Sequence, residues 1–306
     1  MSSSRWTSSD IGDLSGQVAV VTGANSGVGF EASVELARHG AHVVLACRNA
    51  ERGDEALRGL RARVSAASVE LRQLDLADLA SVRRFAAELL DARPRIDVLV
   101  NNAGVMAPSE RALSADGHEL QLATNHLGHF ALTGLLLGGL GAARVVTVSS
   151  PAHRMGRIDF DDLDGEQSYK PWRAYGQSKL ANLLFTMQLH RVAQAAGLDL
   201  VSVAAHPGWA ATQLVSNGPA GAGWTGRLMT AGSAALGQPA AHGAWPLLFA
   251  ATDPDVRATE FIGPGGWGGW RGHPVRLTAM AAAYDPDLAA ALWLWSAEAT
   301  GVHYDL

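Results

Sequence analysis

Cysteine is almost absent from this chain, which has only Cys47 among its 306 residues. An internal disulfide is therefore excluded, and nothing in the sequence indicates an oxidising compartment. The N-terminal residues also lack an apolar run that could form the core of a signal peptide. From these features we expect a cytoplasmic protein.

Basic residues are few as well, because 24 Lys and Arg are outnumbered by 29 Asp and Glu, which gives a net charge of −5. No segment is dense enough in Lys and Arg to follow a phosphate backbone, so nucleic acid is not an expected partner. Long uninterrupted apolar runs are missing too. The most apolar stretch, residues 130–148, carries Arg144 and several glycines, so we expect no stable membrane span.

The composition is otherwise that of a folded α/β protein, with 48% hydrophobic and 17% charged residues. No internal repeat or break in composition divides it. We predict a polar N-terminal extension at residues 1–14 and a single domain at 15–306. A Gly/Ala-rich segment at about 209–239 has no clear strand pattern and is predicted to be a flap over the substrate. A homo-oligomer is left open.

Short β-branched runs alternate with segments of helical periodicity along the chain. This alternation predicts a doubly wound α/β fold with a parallel sheet of about seven strands and helices on both faces. The predicted strands are residues 17–22, 42–46, 69–74, 96–100, 144–148, 198–204 and 258–262. The predicted helices are residues 30–37, 51–64, 82–90, 120–140, 175–195 and 240–250.

A glycine-rich turn follows the first predicted strand and precedes the first helix. Glycines at this place let the backbone approach a pyrophosphate at the helix N-terminus, where free amides favour negative charge. The predicted cofactor residues of this turn are Gly23, Asn25, Ser26, Gly27, Val28 and Gly29. A literal GxGxxG at residues 263–268 has no helix after it, so we interpret that match as a loop.

Arg48 follows the second predicted strand, where NAD-binding proteins of this kind carry an acidic residue for the ribose hydroxyl. An arginine at this place is typical of sites that accept the 2′-phosphate of NADP(H), so NADP(H) is favoured over NAD(H). The alternative is a surface arginine that binds no ligand.

Tyr175 and Lys179 stand four residues apart in a predicted helix and therefore share one face. A nearby ammonium favours the phenolate, so we expect Lys179 to lower the pKa of Tyr175 toward working pH. Such a tyrosine can give a proton to a carbonyl oxygen or take one from an alcohol. The pair is a weak signal alone and gains weight only with the motifs upstream.

Further polar and turn residues follow the other predicted strands, at the edge where ligands bind in such sheets. His126 and His129 lack further metal ligands nearby, so we interpret them as packing or polar residues and predict no metal site. The residues at this edge are Asp75, Leu76, Asn102, Ala103, Gly104, Ser149, Ser150, Pro207 and Gly208, with Thr212 beyond them and Asn125 on the preceding helix.

Taken together, the TGxxxGxG turn, NNAG at residues 101–104, SSPAHRMGRIDFDDL at 149–163 and YGQSKLANLLF at 175–185 resemble the short-chain dehydrogenase/reductase family. The resemblance is closest to its retinol-dehydrogenase-like or protochlorophyllide-reductase-like branch. It implies a Rossmann-like fold and an NADP(H)-dependent oxidoreductase that transfers a hydride between nicotinamide and a carbonyl or alcohol of a small molecule. The stretch between Ser150 and Tyr175 is longer than in simpler members and is expected to shape the pocket mouth.

The resemblance also implies roles for individual residues. Tyr175 would move the proton and Lys179 would tune it, while Ser150, or alternatively Ser149, and Asn125 would assist. Asp75 would contact the adenine, the NNAG segment would line the cofactor, and Pro207 and Gly208 would flank the nicotinamide. Thr212 would contact its carboxamide or the phosphates, and Tyr175 and Lys179 would also touch the cofactor.

Two alternatives to this function stay open at the level of sequence. A nonenzymatic NADP(H)-binding sensor or scaffold could have the same fold, although loss of Tyr175 or Lys179 would favour it and both are present. Double-bond reduction or epimerisation on the same fold is the second alternative. Trp209, Trp224 and Met229 indicate a hydrophobic substrate, but such residues also serve simply as packing.

Overall fold

The centre of the computed structural model, which describes residues 5–208 and 238–304, is an eight-stranded sheet. Its strands are short and rich in valine and alanine, and most of their residues are buried, as expected for a sheet covered on both faces. The strands are β1 (Val18–Thr22), β2 (His42–Cys47), β3 (Val69–Gln73), β4 (Val98–Asn101), β5 (Arg144–Val148), β6 (Val201–Ala205), β7 (Phe261–Pro264) and β8 (Pro274–Leu277).

The strand order is β3-β2-β1-β4-β5-β6-β7-β8, and every neighbouring pair is parallel except the last. All seven predicted strands are present, although the predicted strands at 198–204 and 258–262 begin three residues before β6 and β7. The eighth strand was missed, because it lies beyond a Gly- and Pro-rich hairpin that indicates a loop. The literal GxGxxG begins inside β7 and continues into this hairpin, so it opens no helix.

Helices cover both faces of the sheet, which confirms the predicted doubly wound α/β fold. Asp285 caps the last helix by accepting hydrogen bonds from two backbone amides of its first turn, and this helix was not predicted. The helices are α1 (Gly27–Arg38), α2 (Ala50–Arg63), α3 (Leu79–Ala92), α4 (Leu120–Leu122), α5 (Gly128–Leu135), α6 (Pro171–Ala195), α7 (Ala240–Gly243), α8 (Trp245–Thr252) and α9 (Pro286–Thr300).

The core has a layer on each face because successive strand residues point to opposite sides. Val21 packs into the cluster that includes Leu36 and Leu247. Its neighbour Val20 packs into the cluster that includes Phe85 and Leu132. Both valines are fully buried, so the sheet is held between two apolar layers that fix the edge where the polar loops meet.

The predicted helix at 120–140 is interrupted. A π-helical turn (Ala123–Leu127) separates α4 from α5, and a 3-10 turn (Leu137–Gly139) follows α5. A π-helical turn inserts one residue into the helical hydrogen-bond pattern and often occurs at functional sites. Here it is centred on Asn125, which a regular helix would present at a different angle.

The segment predicted as a polar extension packs against the core. Trp6, Ile11 and Leu14 are each buried, and the Trp6 ring meets the Phe249 ring edge-on with centroids 5.3 Å apart. Thr212 and the predicted flap, apart from residues 238–239, lie outside the described residues. Among the helices of the described ranges, none has the combination of length and apolarity that crossing a bilayer requires.

Candidate functional site

The carboxyl ends of the parallel strands bring the predicted site residues to one edge of the sheet. The strand order reverses between β1 and β4, and ligands of open α/β sheets bind in the crevice at such a reversal. The residues that follow the strands at this edge are Gly23 after β1, Arg48 after β2, Asp75 after β3, Asn102 after β4, Ser150 after β5 and Pro207 after β6.

The glycine turn after β1 is packed against the loop after β4. Gly23 has a φ of +66°, and a Cβ there would lie 2.9 Å from the Cα of Ala103. The Asn102 side chain donates to the backbone oxygen of Thr22 at 2.7 Å. The hydroxyl of Thr22 accepts hydrogen bonds from the amides of Asn102 and Ala103, both at 2.9 Å. Thr22 therefore joins the two cofactor loops, a role that the sequence analysis missed.

The start of α1 fits a bound pyrophosphate. Ser26 precedes the helix, but its side chain caps none of the backbone amides, so the amides of the first turn are available to an anion. Gly29 allows the turn to close, since a Cβ there would lie 2.7 Å from the backbone oxygen of Gly23. Arg48, directly after β2, has an exposed side chain. Its guanidinium makes no hydrogen bond or ion pair with any described residue.

Asp75 and Leu76 occupy the loop after β3. The carboxylate of Asp75 accepts a hydrogen bond from the Ala77 amide at 3.0 Å, and Ser81 accepts one from the Asp75 amide at 3.1 Å. Leu76 is buried and its backbone abuts Gly128 of α5, where a side chain would collide with the Leu76 carbonyl. This loop is therefore held in place beside the π-helical turn.

Tyr175 lies in the second turn of α6 and is 7% exposed. Burial raises its pKa to about 12, and a hydrogen bond with Ser150 opposes that rise. The prediction that Lys179 would lower this pKa is wrong for the structure described here. Desolvation dominates, and the Nζ atom of Lys179 is 5.7 Å from the centre of the Tyr175 ring.

Lys179 is bound to the end of β5. Its Nζ atom donates to the carbonyl oxygen of Val148 at 3.1 Å, and Asn182 donates to the same oxygen at 2.9 Å. Burial lowers the pKa of Lys179 to about 8. The contact with a strand carbonyl has no signal in the sequence, because any residue type supplies that oxygen.

The two serines after β5 differ in what they contact. The Ser149 hydroxyl is buried and donates to the backbone oxygen of Lys179 at 2.8 Å. The Ser150 hydroxyl accepts a hydrogen bond from the Ala152 amide at 3.2 Å and is the one paired with Tyr175. Of the two alternatives, Ser150 is the serine whose hydroxyl lies beside the tyrosine.

Asn125 fastens the loop that follows NNAG. Its side-chain oxygen accepts from the Val105 amide at 2.8 Å, and its side-chain nitrogen donates to the Val105 carbonyl at 3.0 Å and to Ser178 at 2.9 Å. A Cβ on Gly104 would lie 2.9 Å from the Asn125 side-chain oxygen and 3.6 Å from the Nζ atom of Lys179. The NNAG backbone at Gly104 therefore lies directly against these two side chains.

The first asparagine of NNAG has a structural role in packing β4 against α5. Asn101 is fully buried at the end of β4 and donates to the hydroxyl of Thr133 on α5 at 3.1 Å. It contacts the helix behind the sheet edge. Asn102 is the asparagine that faces the glycine turn.

The long stretch before α6 packs against the loops of the site. The Tyr169 hydroxyl donates to the carbonyl of Pro108 at 3.0 Å, and Gln121 donates to that hydroxyl at 3.1 Å. Gln121 also accepts from the amide of Ala107, which has a φ of +46°. Where this stretch enters α6, the exposed ring of Trp172 meets the Tyr175 ring edge-on, with centroids 6.0 Å apart.

Pro207 and Gly208 close the site on the β6 side. The Pro207 carbonyl accepts a hydrogen bond from Gln238 at 2.8 Å. Gly208 has a φ of +69° and lies against the backbone of the β7–β8 hairpin, where a Cβ would collide with the Trp270 carbonyl. The predicted partner Thr212 is outside the described residues, so its place in the site stays a prediction.

Three buried histidines should make the protein sensitive to acid. Burial lowers the pKa of His126 to about 3, of His129 to about 4 and of His206 to about 3. The unfolded chain therefore binds more protons than the folded one below about pH 6.5. As the pH falls, each of these histidines can lower the free energy of unfolding by up to about 1.4 kcal/mol per pH unit. His118, whose pKa is raised by Asp164, acts in the opposite sense but is outnumbered.

We accordingly expect these histidines to cost no stability above about pH 6.5. The free energy of unfolding should fall as the pH is lowered from there toward 4. Urea unfolding at a series of pH values between 7.5 and 5 measures this, above the range where most carboxylates titrate. The exposed His303 provides the control, since His303→Gln should leave the slope unchanged. A free energy that is constant or rises on acidification would contradict the assignment of these histidines as neutral.

The motifs found by sequence agree with comparisons to known proteins. A family model described as short chain dehydrogenase matches residues 17–221. Human retinol dehydrogenase 13 is 45% identical over 205 residues, which are 66% of this chain and 61% of that protein. Human retinol dehydrogenase 11 is 46% identical over 206 residues, again 66% of this chain and 64% of that protein. The matched region thus spans 61% and 64% of the length of these two curated relatives.

Solved structures extend the likeness over the whole chain. A protein from Mycobacterium paratuberculosis, described as uncharacterized, is 43% identical with a TM-score of 0.82 and covers 99% of this chain and 100% of its own. A protein from Beutenbergia cavernae, assigned as an NAD(P)-dependent gluconate 5-dehydrogenase with bound NADP, is 28% identical with a TM-score of 0.58, over 79% of this chain and 91% of its own. Fold, motifs and matched family model agree: the chain belongs to the short chain dehydrogenase family, in its retinol-dehydrogenase-like branch.

Proposed function

We propose that this protein is an NADP(H)-dependent oxidoreductase that transfers a hydride between nicotinamide and the carbonyl or alcohol carbon of an apolar small molecule. The observation that carries the proposal is the buried Tyr175, paired with Ser150 and placed one helical turn from Lys179. These groups lie at the same sheet edge as an uncapped glycine turn and helix N-terminus, which suits a dinucleotide.

The side chains divide the work of proton transfer. Tyr175, whose pKa is about 12, is protonated near neutral pH, which is the form needed to donate a proton to a carbonyl oxygen. Ser150 can donate a second hydrogen bond to that oxygen and hold it near the tyrosine. Lys179, with a pKa of about 8, supplies ammonium protons beside the site. When bound, the nicotinamide cofactor supplies or accepts the hydride.

Asn125 and Lys179 anchor the backbone segments on which the proton-transfer groups stand. Asn125 fixes the backbone of Val105 through two hydrogen bonds, and this positions the loop that follows NNAG. Lys179 is anchored on the Val148 carbonyl, one residue before Ser149 and Ser150. The proton-transfer groups are therefore positioned by two buried anchors, a type of preorganisation that lowers the barrier by orientation.

The charge at the end of β2 supports NADP(H) over NAD(H). The nearest side chain after β2 is Arg48, and no carboxylate occupies the position where NAD enzymes bind the ribose hydroxyls. Arg48 is exposed and unpaired among the described residues, so its guanidinium is available to a phosphate. Gln73 donates to the Arg48 carbonyl at 3.2 Å, which fixes the backbone from which that side chain extends.

Arg48→Ala should weaken NADPH binding by roughly 10- to 100-fold and leave NADH binding nearly unchanged, because a charged hydrogen bond to phosphate contributes about 1.5–3 kcal/mol. Titration of both cofactors by fluorescence measures the two dissociation constants. Arg58→Ala, an exposed arginine further along α2, is the matched control and should alter neither. An equal loss for both cofactors would show that Arg48 does not recognise the 2′-phosphate.

The segment before α6 favours an apolar substrate. Met155 and Phe160 of this segment and Trp172 in the first turn of α6 are exposed large side chains, and the Trp172 ring contacts the ring of Tyr175. Retinol, the substrate named in its relatives, is an apolar alcohol. We therefore propose apolar alcohols and aldehydes as the substrate class.

The test is a panel of substrates followed at the absorbance of NADPH. The apolar members are retinol with NADP+ and decanal with NADPH, and the polar comparison is glyceraldehyde with NADPH. We expect turnover of the apolar members and little of glyceraldehyde. Tight NADPH binding without turnover of any member would favour the sensor or scaffold alternative.

A further inference from the structure

Two buried histidines, His129 and His153, contact the backbone of residues assigned to the reaction. We propose that both are positioning residues, each of which holds the main-chain carbonyl of one catalytic residue and links it to a distant segment of the fold. His129 holds Asn125, and His153 holds Ser150. This inference rests on the proposed function and adds to it the groups that keep Asn125 and Ser150 in place.

His129 lies on α5, one turn after the π-helical turn. Its Nδ1 atom is 3.0 Å from the carbonyl oxygen of Asn125, and its Nε2 atom is 2.9 Å from the hydroxyl of Thr22. A carbonyl can only accept, so Nδ1 carries the proton and Nε2 is the acceptor. The Thr22 hydroxyl accepts two backbone amides, and of the two acceptors in reach of its own proton, Nε2 at 2.9 Å is closer than the Val100 carbonyl at 3.3 Å.

This arrangement connects the two halves of the site. Thr22 ends β1, immediately before the glycine turn, and its hydroxyl holds the amides of Asn102 and Ala103. His129 adds the carbonyl of Asn125 to the same set. The cofactor turn, the NNAG loop and the π-helical turn thus share one buried chain of hydrogen bonds.

His153 makes the equivalent contact on the other side of the tyrosine. Its Nδ1 atom lies 2.6 Å from the carbonyl oxygen of Ser150, so Nδ1 again carries the proton. Its Nε2 atom accepts a hydrogen bond from the amide of Met280 at 3.3 Å. The ring also meets Phe261 of β7 edge-on, with centroids 5.5 Å apart. Ser150 is thereby tied to the C-terminal part of the fold.

Both rings have the protonation that these contacts need. Each histidine is 1% exposed, and burial lowers the pKa of both side chains, for His129 to about 4. A neutral imidazole has one donor and one acceptor, and here each is satisfied. A leucine of similar size would fill the space but remove the side-chain hydrogen bond to each catalytic carbonyl. At position 153 it would also leave the Met280 amide without its acceptor, while the Ser150 carbonyl would keep only the backbone amide of residue 153 at 3.0 Å.

The consequence for the reaction is geometric. A displacement of about 1 Å in a catalytic group can cost about a hundredfold in rate, and loss of the histidine contact removes a hydrogen bond that opposes such a displacement of Ser150 or Asn125. Asparagine can place its side-chain nitrogen where Nδ1 of histidine stands, so it retains the donor to the carbonyl and loses only the Nε2 contact. Glutamine instead reaches the Nε2 position and loses the donor.

The experiment compares leucine, asparagine and glutamine at positions 129 and 153, with decanal and NADPH as the assay. We expect His153→Leu and His153→Gln to lower kcat by roughly 10- to 100-fold with unchanged NADPH affinity, and His153→Asn to recover most of the loss. His129→Leu should lower both kcat and NADPH affinity, because His129 also contacts Thr22. Thr300→Val is the control: Thr300 is also buried, and its hydroxyl donates to the Ser296 carbonyl at 2.7 Å and accepts from the Val302 amide at 3.3 Å, at the end of α9 and away from the site, so the variant should lose stability and keep kcat.

A second measurement does not depend on turnover. Nitrogen-15 NMR of labelled histidines distinguishes the two neutral tautomers, and free histidine favours the Nε2–H form. We expect His129 and His153, assigned through their variants, to show the Nδ1–H form with NADPH bound. The Nε2–H form, or equal kcat for the leucine, asparagine and glutamine variants, would overturn the positioning role. If instead no member of the substrate panel is turned over by the unaltered protein, the proposed function fails while the tautomers still report the contacts.

Discussion

Tyr175→Phe should lower turnover by about a hundredfold to ten-thousandfold while NADPH still binds. The substitution removes only the hydroxyl, which is the group placed to give a proton to the substrate oxygen, and losses of this size are typical of general acid-base catalysis. The ring stays in its buried place in α6, and its edge contact with Trp172 is retained. We therefore expect kcat to fall and the dissociation constant of NADPH to change little.

The measurement combines single-turnover kinetics with cofactor titration, so that binding and chemistry are separated. Tyr284→Phe provides the matched control, because it removes a hydroxyl that accepts only the Ala279 amide at 3.0 Å on a partly exposed side chain. The control should turn over normally. Unchanged turnover in Tyr175→Phe would remove this residue from the mechanism and require another proton donor for the same reaction.

Gly29→Ala should abolish tight NADPH binding and reduce stability. The new methyl group would lie 2.7 Å from the backbone oxygen of Gly23 and closer still to the Asn102 side chain. The glycine turn and the end of β4 cannot move apart easily, because the Asn102 side chain also donates a hydrogen bond to the Thr22 backbone oxygen. We expect a loss of about 1–3 kcal/mol in the free energy of unfolding and at least about a tenfold loss in NADPH affinity.

Urea unfolding and cofactor titration of the same preparations test this expectation. Gly138→Ala is the matched control, because a Cβ at Gly138 meets nothing within 4 Å, and its stability should change by no more than about 0.5 kcal/mol. If Gly29→Ala bound NADPH as tightly as the unaltered protein, the close approach of the two loops would not be needed for the cofactor site.

The parts of the fold that were predictable are those with a local pattern. Buried parallel strands are nearly continuous apolar runs, so β1, β2, β4 and β5 stand out as β-branched segments. The residues at the carboxyl edge followed from the same pattern, because parallel strands bring their ends together. Arg48, Asn102 and Ser150 were therefore predicted at that edge without knowledge of any contact between them.

The parts that were missed depend on contacts distant in sequence. β8 is a short edge strand behind a hairpin, and its sequence differs little from a loop. The π-helical turn at Asn125 lies in a segment whose apolar pattern predicts one regular helix. The carbonyl of Val148, which binds Lys179, is invisible to any analysis of side chains, because the chain offers the same oxygen at every residue.

The pKa of Tyr175 depends on both the local sequence and the tertiary packing, and the two act in opposite directions. Its spacing from Lys179 determined that both side chains share a helix face, and the motif order determined the family. Whether the phenol is stabilised or destabilised as an anion depends on solvent access and on the direction of the ammonium group. The packing of α6 against the sheet buried both groups and turned Lys179 toward Val148, and thereby raised the pKa that spacing alone predicts to fall. The sequence by itself thus predicted most residues of the candidate site, and the tertiary structure decided how burial shifts the pKa of Tyr175 and Lys179.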